Sequence, residues 1–386
     1  MKIKKRHQFM VSFFRFGAKI YLGAKYHFHC KKNKLEKNKP YLILCNHTSN
    51  ADPALLQLAF NRNINYIAHY ELITSKIGKF LDWAFGIIPT MKGKTDLHTI
   101  REAMKVAKQN GVIGLYPSGD CTFSGIESPI DKSIVKFVRL LGIDTILYRT
   151  HGLYGVDPRF GNTIRKGKAT GAIQRIIKAE EIEKLSDNEL YEIIINNISV
   201  NHYNDLNGEL FRSKKKAEYL ERVLFMCPDC GSTSSMESHG SDLVCKKCGY
   251  KVSYKEDLHL ELKNGKKEFE TTLDWINYEK EELKNISKDG IIFSDDVKKV
   301  KVEEISKRKE KKYKKGHIEL VNNSLIIKYG ETIIECDLMK DIMIYHGKKR
   351  LVVYHDELVY NLVGYDRFSG IKYIYYQEML KEASKE

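Results

Sequence analysis

Between residues 41 and 150 the chain switches repeatedly between short apolar runs and amphipathic stretches, and this alternation is its tightest constraint. "YLILC" (41–45) reads as a buried strand, and residues 52–61 as a helix with Pro53 in its first turn. "NINYIAHY" (63–70) is strand-like, and "GIIPT" (86–90) is another short apolar run. Residues 95–109 form a helical pattern, with Thr95 able to cap and Leu97, Ile100, Met104 and Ala107 on one face. "GVIGLYP" (111–117) predicts a strand, 131–141 a helix, and "DTILYRT" (144–150) a further strand. Alternating strands and helices imply an α/β fold, a mixed but largely parallel sheet flanked by helices. Such sheets place ligands at the carboxyl ends of their strands. The segments at His47, Pro117–Gly119 and His151–Gly152 all follow predicted strands, so they should converge on one site.

The remaining chain changes character several times. Residues 1–40 form a basic amphipathic segment, and 41–222 the α/β domain with a polar helical end from 179. Residues 223–256 hold clustered cysteines. Residues 257–316 are charged and predict a helical linker, with one helix near Leu273–Leu283. From 317 the period falls to two, with a hairpin around Gly347, and residues 368–382 predict a closing helix. This β-rich module (317–386) is weakly similar to pleckstrin-homology-like folds.

Charge narrows the partners. The chain of 386 residues carries a formal net charge of +15. Residues 1–40 hold twelve Lys or Arg against one acid, Glu36, and "KRKEKKYKK" (307–315) is a second basic run. Basic clusters favour anionic partners: nucleic acid, acidic lipid or phosphorylated substrates. In residues 8–26, Phe9, Phe13, Phe16 and Ile20 recur at helical spacing, interrupted by Arg15, Lys19 and Lys25. A Phe-rich basic helix suits the interface of an anionic membrane better than a duplex groove, so nucleic acid is not the expected partner. No apolar run approaches the ~18 residues of a spanning helix, and the N-terminus has no signal-peptide pattern. The expected location is therefore cytoplasmic, peripheral on the inner face of the membrane.

A reducing compartment favours metal over disulfides for paired cysteines. Cys227-x-x-Cys230 and Cys245-x-x-Cys248 are separated by fourteen residues, and glycines follow each pair (Gly231, Gly249). Two residues between thiolates let both sulfurs reach one ion, while glycine permits the tight turn. The four form a closed set for structural zinc, and the segment resembles a zinc ribbon.

"LCNHTSNADP" (44–53) carries the chemistry: a histidine, His47, and a carboxylate five residues on, Asp52, where a strand gives way to a helix. A carboxylate that fixes the tautomer of a histidine makes it a general base. Asn46-His47-x-x-x-x-Asp52 resembles the first motif of the glycerolipid acyltransferases, the lysophosphatidate acyltransferase family. "GIIPTMKG" (86–93), with Gly86 and Lys92, resembles the second motif, in which the basic residue is commonly arginine. "YPSGDCTFSG" (116–125) stands where the third motif belongs and keeps Tyr116, Pro117 and Gly119. It departs from that motif in having Ser118 for glutamate and Cys121 for arginine. "RTHGLYGVDPRF" (149–160) is similar to the segment after the last core strand in a bacterial branch of the family.

The resemblance implies transfer of a fatty acyl group from an acyl thioester, on coenzyme A or acyl carrier protein, to a hydroxyl of a lysophospholipid, most simply lysophosphatidate. His47 would deprotonate the acceptor, assisted by Asp52. Asn46, Gly86, Lys92, Tyr116, Pro117, Ser118 and Gly119 would line the substrates, with backbone N–H groups near Gly119 as oxyanion donors and Asn46 mainly shaping the turn. The missing arginine weakens the case for a phosphate-bearing acceptor. Lys94, Arg149 and Arg159 could replace it, although each reads first as a solvated surface charge. The alternative is a catalytically altered scaffold that binds lipid or nucleic acid through its basic segments and ribbon.

Overall fold

The computed structural model describes residues 3–74, 76–90, 97–205, 208–286, 290–304 and 309–384. They divide into two compact units: residues 1–159 with 164–212, and residues 160–163 with 213–386.

The first unit opens with α1 (Lys5–Tyr26), β1 (Phe28–Cys30), β2 (Tyr41–Cys45), α2 (Asp52–Ala59) and β3 (Ile64–His69). There follow α3 (Tyr70–Thr74), α4 (Lys76–Phe85), β4 (Ile88–Thr90), α5 (Leu97–Ala107), β5 (Val112–Leu115) and α6 (Ser133–Leu141). It closes with β6 (Thr145–His151), α7 (Leu153–Val156), β7 (Ala169–Ile177), α8 (Ala179–Lys184) and α9 (Asp187–Ile198). The seven strands form one sheet in the order β1-β7-β6-β2-β5-β3-β4. All pairs are parallel except β6 with β7, so the sheet is mixed and largely parallel.

The continuous apolar run of β2 follows from burial on both faces. Leu42 and Leu44 point into a core shared with Val106 of α5, Val138 of α6 and Ile194 of α9. Tyr41, Ile43 and Cys45 point the other way, onto Leu56 and Ala59 of α2 and Phe60. This central strand delivers Asn46 and His47 between the ends of its neighbours β5 and β6.

Several expectations are corrected here. Residues 1–40 are not a separate segment: β1 pairs with β7 at the sheet edge. The strand β7 escapes a periodicity argument because its burial does not alternate and its pairing with β6 is bulged at Leu147/Tyr148. Beyond Ile198 the first unit has no further helix among the described residues, and it ends at Arg212 rather than 222.

The second unit holds β8 (Met236–His239), β9 (Asp242–Cys245), β10 (Lys251–Tyr254) and β11 (Leu260–Asn264), an antiparallel sheet in the order β11-β10-β9-β8. Next come α10 (Thr272–Asn285), β12 (Ile291–Glu304), β13 (Lys309–Tyr313), β14 (Gly316–Val321), β15 (Ser324–Tyr329) and β16 (Thr332–Asp337). It ends with β17 (Ile342–His346), β18 (Arg350–His355), β19 (Leu358–Gly364) and α11 (Ile371–Ala383). The larger sheet is antiparallel, ordered β16-β15-β14-β12-β19-β18-β17, with β13 paired to β12. Tyr373 and Tyr376 of α11 pack their rings on Phe293 of β12.

The charged linker expected over 257–316 is thus replaced by β11, α10, β12 and β13. Its charge hid the strands. Along β12, Phe293, Val297 and Val300 are buried, and register shifts on both sides break the two-residue period. Of the "KRKEKKYKK" run, Lys309–Tyr313 form β13.

Candidate active site and metal centre

The loop after β2 folds back through hydrogen bonds to Asp52, the first residue of α2. Asp52 is fully buried, and its Oδ2 accepts from the backbone N–H of Thr48 at 2.7 Å and of Ser49 at 3.0 Å. The same oxygen meets Nδ1 of His47 at 2.9 Å. Two donors from the backbone leave Oδ2 an acceptor, so the network assigns the ring proton to Nδ1 and leaves Nε2 as the base. The N-terminus of α2 further favours the carboxylate. Tyr116 stacks on the His47 ring with centroids 4.4 Å apart, and Tyr66 stacks on Tyr116 at 6.1 Å. His47 keeps 18% of its side-chain exposure, which leaves the base reachable.

The neighbouring loops fix the rest. Asn46 is fully buried, and its side-chain amide pairs with the backbone of Thr150 in β6 through both ends: Nδ2 donates to the carbonyl at 2.9 Å, and Oδ1 accepts from the N–H at 2.8 Å. It therefore clamps β2 to β6 rather than facing a substrate. Gly86 adopts φ +70° at the end of α4, where a Cβ would lie 2.8 Å from His7, so its role is the turn. Lys92 and Lys94 lie outside the described residues. Gly119 has φ +73° and open space where a Cβ would be. Its N–H donates to the carbonyl of Tyr116 at 3.0 Å, so this amide is spent on the turn and is not an oxyanion donor. Pro117 is half-buried in the same turn. Cys121 is buried, and burial pushes its thiol well up, which rules out a thiolate nucleophile.

Two residues that sequence reasoning missed or misjudged complete the site. Both Glu127 oxygens lie 3.2 Å from the backbone N–H of His47, which donates to them, and Ser118 hydrogen-bonds the same carboxylate. Burial pushes Glu127 up to about 7, against the pull of those hydrogen bonds. Arg159, expected as a surface charge, is 4% exposed. It stacks 3.9 Å over Phe123, donates to the carbonyl of Cys121 and lies 3.6 Å from Asp120. The third loop is thereby held by a guanidinium from outside its own motif. Glu127 sits in "GIESP", with no spacing pattern to mark it. Its signal in the sequence was Ser118, a donor where an acid was expected.

In the second unit, Cys227 and Cys248 have their sulfurs 3.5 Å apart, and Cys230 and Cys245 3.7 Å. A tetrahedral ion with zinc–sulfur bonds of about 2.3 Å requires sulfur separations of about 3.8 Å, so the four thiols fit zinc. Matching turns build the two halves. Gly231 N–H donates to the backbone carbonyl of Cys227 and Gly249 N–H to that of Cys245, both at 2.9 Å, with φ of +67° and +80°. Helix α10 grips the entry to the site: Trp275 Nε1 donates to the Met226 carbonyl at 3.0 Å, and Glu279 accepts from the Met226 N–H at 2.8 Å.

Residues 27–147 match the model of the acyltransferase family, and residues 220–257 match one described as DNA directed RNA polymerase, 7 kDa subunit, a zinc ribbon. The chain thus contains an acyltransferase-family domain followed by a zinc ribbon. Among solved structures, the 1-acyl-sn-glycerophosphate (LPA) acyltransferase PlsC from Thermotoga maritima is similar at 16% identity and a TM-score of 0.43, over 51% of this chain and 80% of that one. No curated protein matches the chain.

Two predictions follow from this geometry. An unfolded Glu127 loses its proton near the ordinary 4.5, while the folded one keeps it to about 7, so stability falls as pH rises through that window. Glu127→Gln removes this pH dependence. Urea melts at pH 5 and pH 8 should show the wild type losing about 2.5 kcal/mol more than the variant between them. For the ribbon, zinc chelation or Cys245→Ser should raise proteolytic cleavage within 220–257 while leaving the Asp52–His47 unit folded, as limited proteolysis with mass mapping will report.

Proposed function

We propose that this protein is an O-acyltransferase working at a lipid surface, which moves a fatty acyl group from acyl-coenzyme A or acyl carrier protein to the hydroxyl of a lysophospholipid, with lysophosphatidate as the leading acceptor. The observation that carries the reading is the Asp52-anchored His47, its Nε2 left free for a proton beside Tyr116. His47 Nε2 takes the proton from the acceptor hydroxyl as the oxygen attacks the thioester carbonyl carbon. The carbon–sulfur bond then breaks, and the imidazolium returns the proton to the leaving thiolate. Asp52, and Glu127 when ionised, both favour the transient positive charge on the ring. Arg159 orders the loop that carries Tyr116 and Ser118 rather than meeting an acceptor phosphate.

An anionic membrane surface is the proposed partner. Among the described residues, no helix is long and apolar enough to cross a membrane. Helix α1 docks through Val11, His7 and Phe14, the last edge-on to Phe85 of α4. Its other face leaves Phe9, Phe13, Phe16, Ile20 and Tyr21 more than 60% exposed, and α4 adds Ile77, Phe80 and Trp83. A monomer rarely exposes so contiguous a set of aromatics, and with Lys5, Arg15 and Lys25 alongside it suits the boundary between headgroups and acyl chains. This supports a peripheral location on the inner leaflet.

The test is acyl transfer from a long-chain acyl-coenzyme A to lysophosphatidate on anionic vesicles. His47→Ala should fall at least about a thousandfold while still sedimenting with the vesicles. Activity with another lysolipid alone would move the acceptor. A folded wild type inactive on every lysolipid would refute the proposal.

A further inference from the structure

The second unit contains another cluster of metal-ligating side chains that the ribbon does not use. Cys336 is the penultimate residue of β16, Asp341 closes the turn into β17, and His355 ends β18. The strands β16 and β17 are the two outer strands of the large sheet, and the turn 338–341 joins them. One ligand atom from each of Cys336, Asp341 and His355 lies within 4.8 Å of the others. Cys336 is fully buried, Asp341 nearly so, and His355 half-buried, so the cluster is enclosed on the protein side and reachable through the imidazole.

Four features make this arrangement more than a histidine–aspartate pair. The Nδ1 of His355 lies 2.8 Å from Asp341 Oδ2, held there by a shared proton. A tetrahedral ion with bonds of about 2.0 Å needs those atoms about 3.3 Å apart, so an opening of roughly half an ångström would exchange proton for metal. The other ring nitrogen faces Asp356 at 3.6 Å, the outer carboxylate that orients a metal-bound imidazole. The backbone of Asp341 is fixed from α11, where Gln377 Nε2 donates to its carbonyl at 2.9 Å and Lys381 at 3.3 Å, so neither cation nor amide is spent on the Asp341 carboxylate in these bonds. Finally, the fully buried Cys336 places a soft sulfur donor on the protein side of the cluster, beside the harder oxygen and nitrogen donors.

We propose that Cys336, Asp341 and His355 form a second metal site, binding a borderline-soft divalent cation, zinc foremost, with solvent as the fourth ligand. Thiolate, imidazole and carboxylate together select zinc over calcium or magnesium, whose preferred ligands are all oxygen. Three protein ligands leave a position open, unlike the closed four-sulfur set of the ribbon. Bound there, the ion would displace the thiol proton and tie the two outer strands of the sheet to β18. The inference is independent of the acyl-transfer reading.

The experiment is the zinc content of the full chain, measured by inductively coupled plasma mass spectrometry after equilibration with zinc and removal of the free ion. The wild type should hold two zinc ions per chain, and Cys336→Ala and His355→Ala should each hold one, with affinity for the second ion lowered at least about a hundredfold. The wild-type stoichiometry decides even where a variant folds poorly: one ion per chain overturns the proposal. Two ions in the wild type and in both folded variants would also overturn it, because the second ion would then lie elsewhere. As a second readout, zinc added to the folded, zinc-depleted second site should raise the melting temperature of the wild type and leave that of Cys336→Ala unchanged.

Discussion

One oxygen atom organises the first unit's chemistry. Oδ2 of Asp52 accepts from Thr48, Ser49 and the His47 ring, and it does so in full burial at the start of α2. A carboxylate buried in that way is costly unless its hydrogen bonds are made, and each of these three also bends the loop toward it. The loop's shape, the tautomer of the base and the charge that balances an imidazolium therefore come from a single group. The sheet supplies the platform. The apolar strand β2 places the loop, and Asn46 ties its root to Thr150 across 104 residues of sequence. The second carboxylate, Glu127, grips the His47 backbone from another loop, so the histidine is held on both its ring and its main chain.

What the sequence made legible was what local chemistry dictates. The alternation of apolar runs and amphipathic stretches yields β2 through β6, because buried parallel strands must be apolar throughout. The His47–Asp52 spacing encodes a turn closed by the very hydrogen bonds that make it useful, and the Cys-x-x-Cys pairs encode their own turns. Long-range pairing was not legible. The edge strand β1 and its neighbour β7 carry too little burial to show a period. The roles of Glu127 and Arg159 arise from contacts 80 and 38 residues away, to His47 and Cys121 respectively. Gly119 misled for a related reason. Its positive φ fits a loop built for ligands, yet the same turn consumes its N–H.

The second unit shows how charge can mask structure. Strand β12 alternates buried and exposed positions imperfectly because its partners shift register, and its Lys and Glu residues dominate the composition without dominating the packing. The ribbon depends on a different compensation. Its sheet is small, so Trp275 and the buried Glu279 of α10 brace the chain immediately before Cys227. Burial raises Glu279 well above the ordinary carboxyl range, which lets it sit there as a neutral acceptor.

The central claim is that Asp52 holds His47 with its proton on Nδ1 and its lone pair on Nε2. Nitrogen-15 NMR of ring-labelled protein, with the His47 signals assigned by their loss in His47→Ala, tests this directly. The account predicts a neutral His47 whose Nδ1 carries the directly bonded proton, and Asp52→Asn should disturb that state. A neutral ring protonated at Nε2 in the wild type would contradict it, because the base would then face the aspartate and not the substrate.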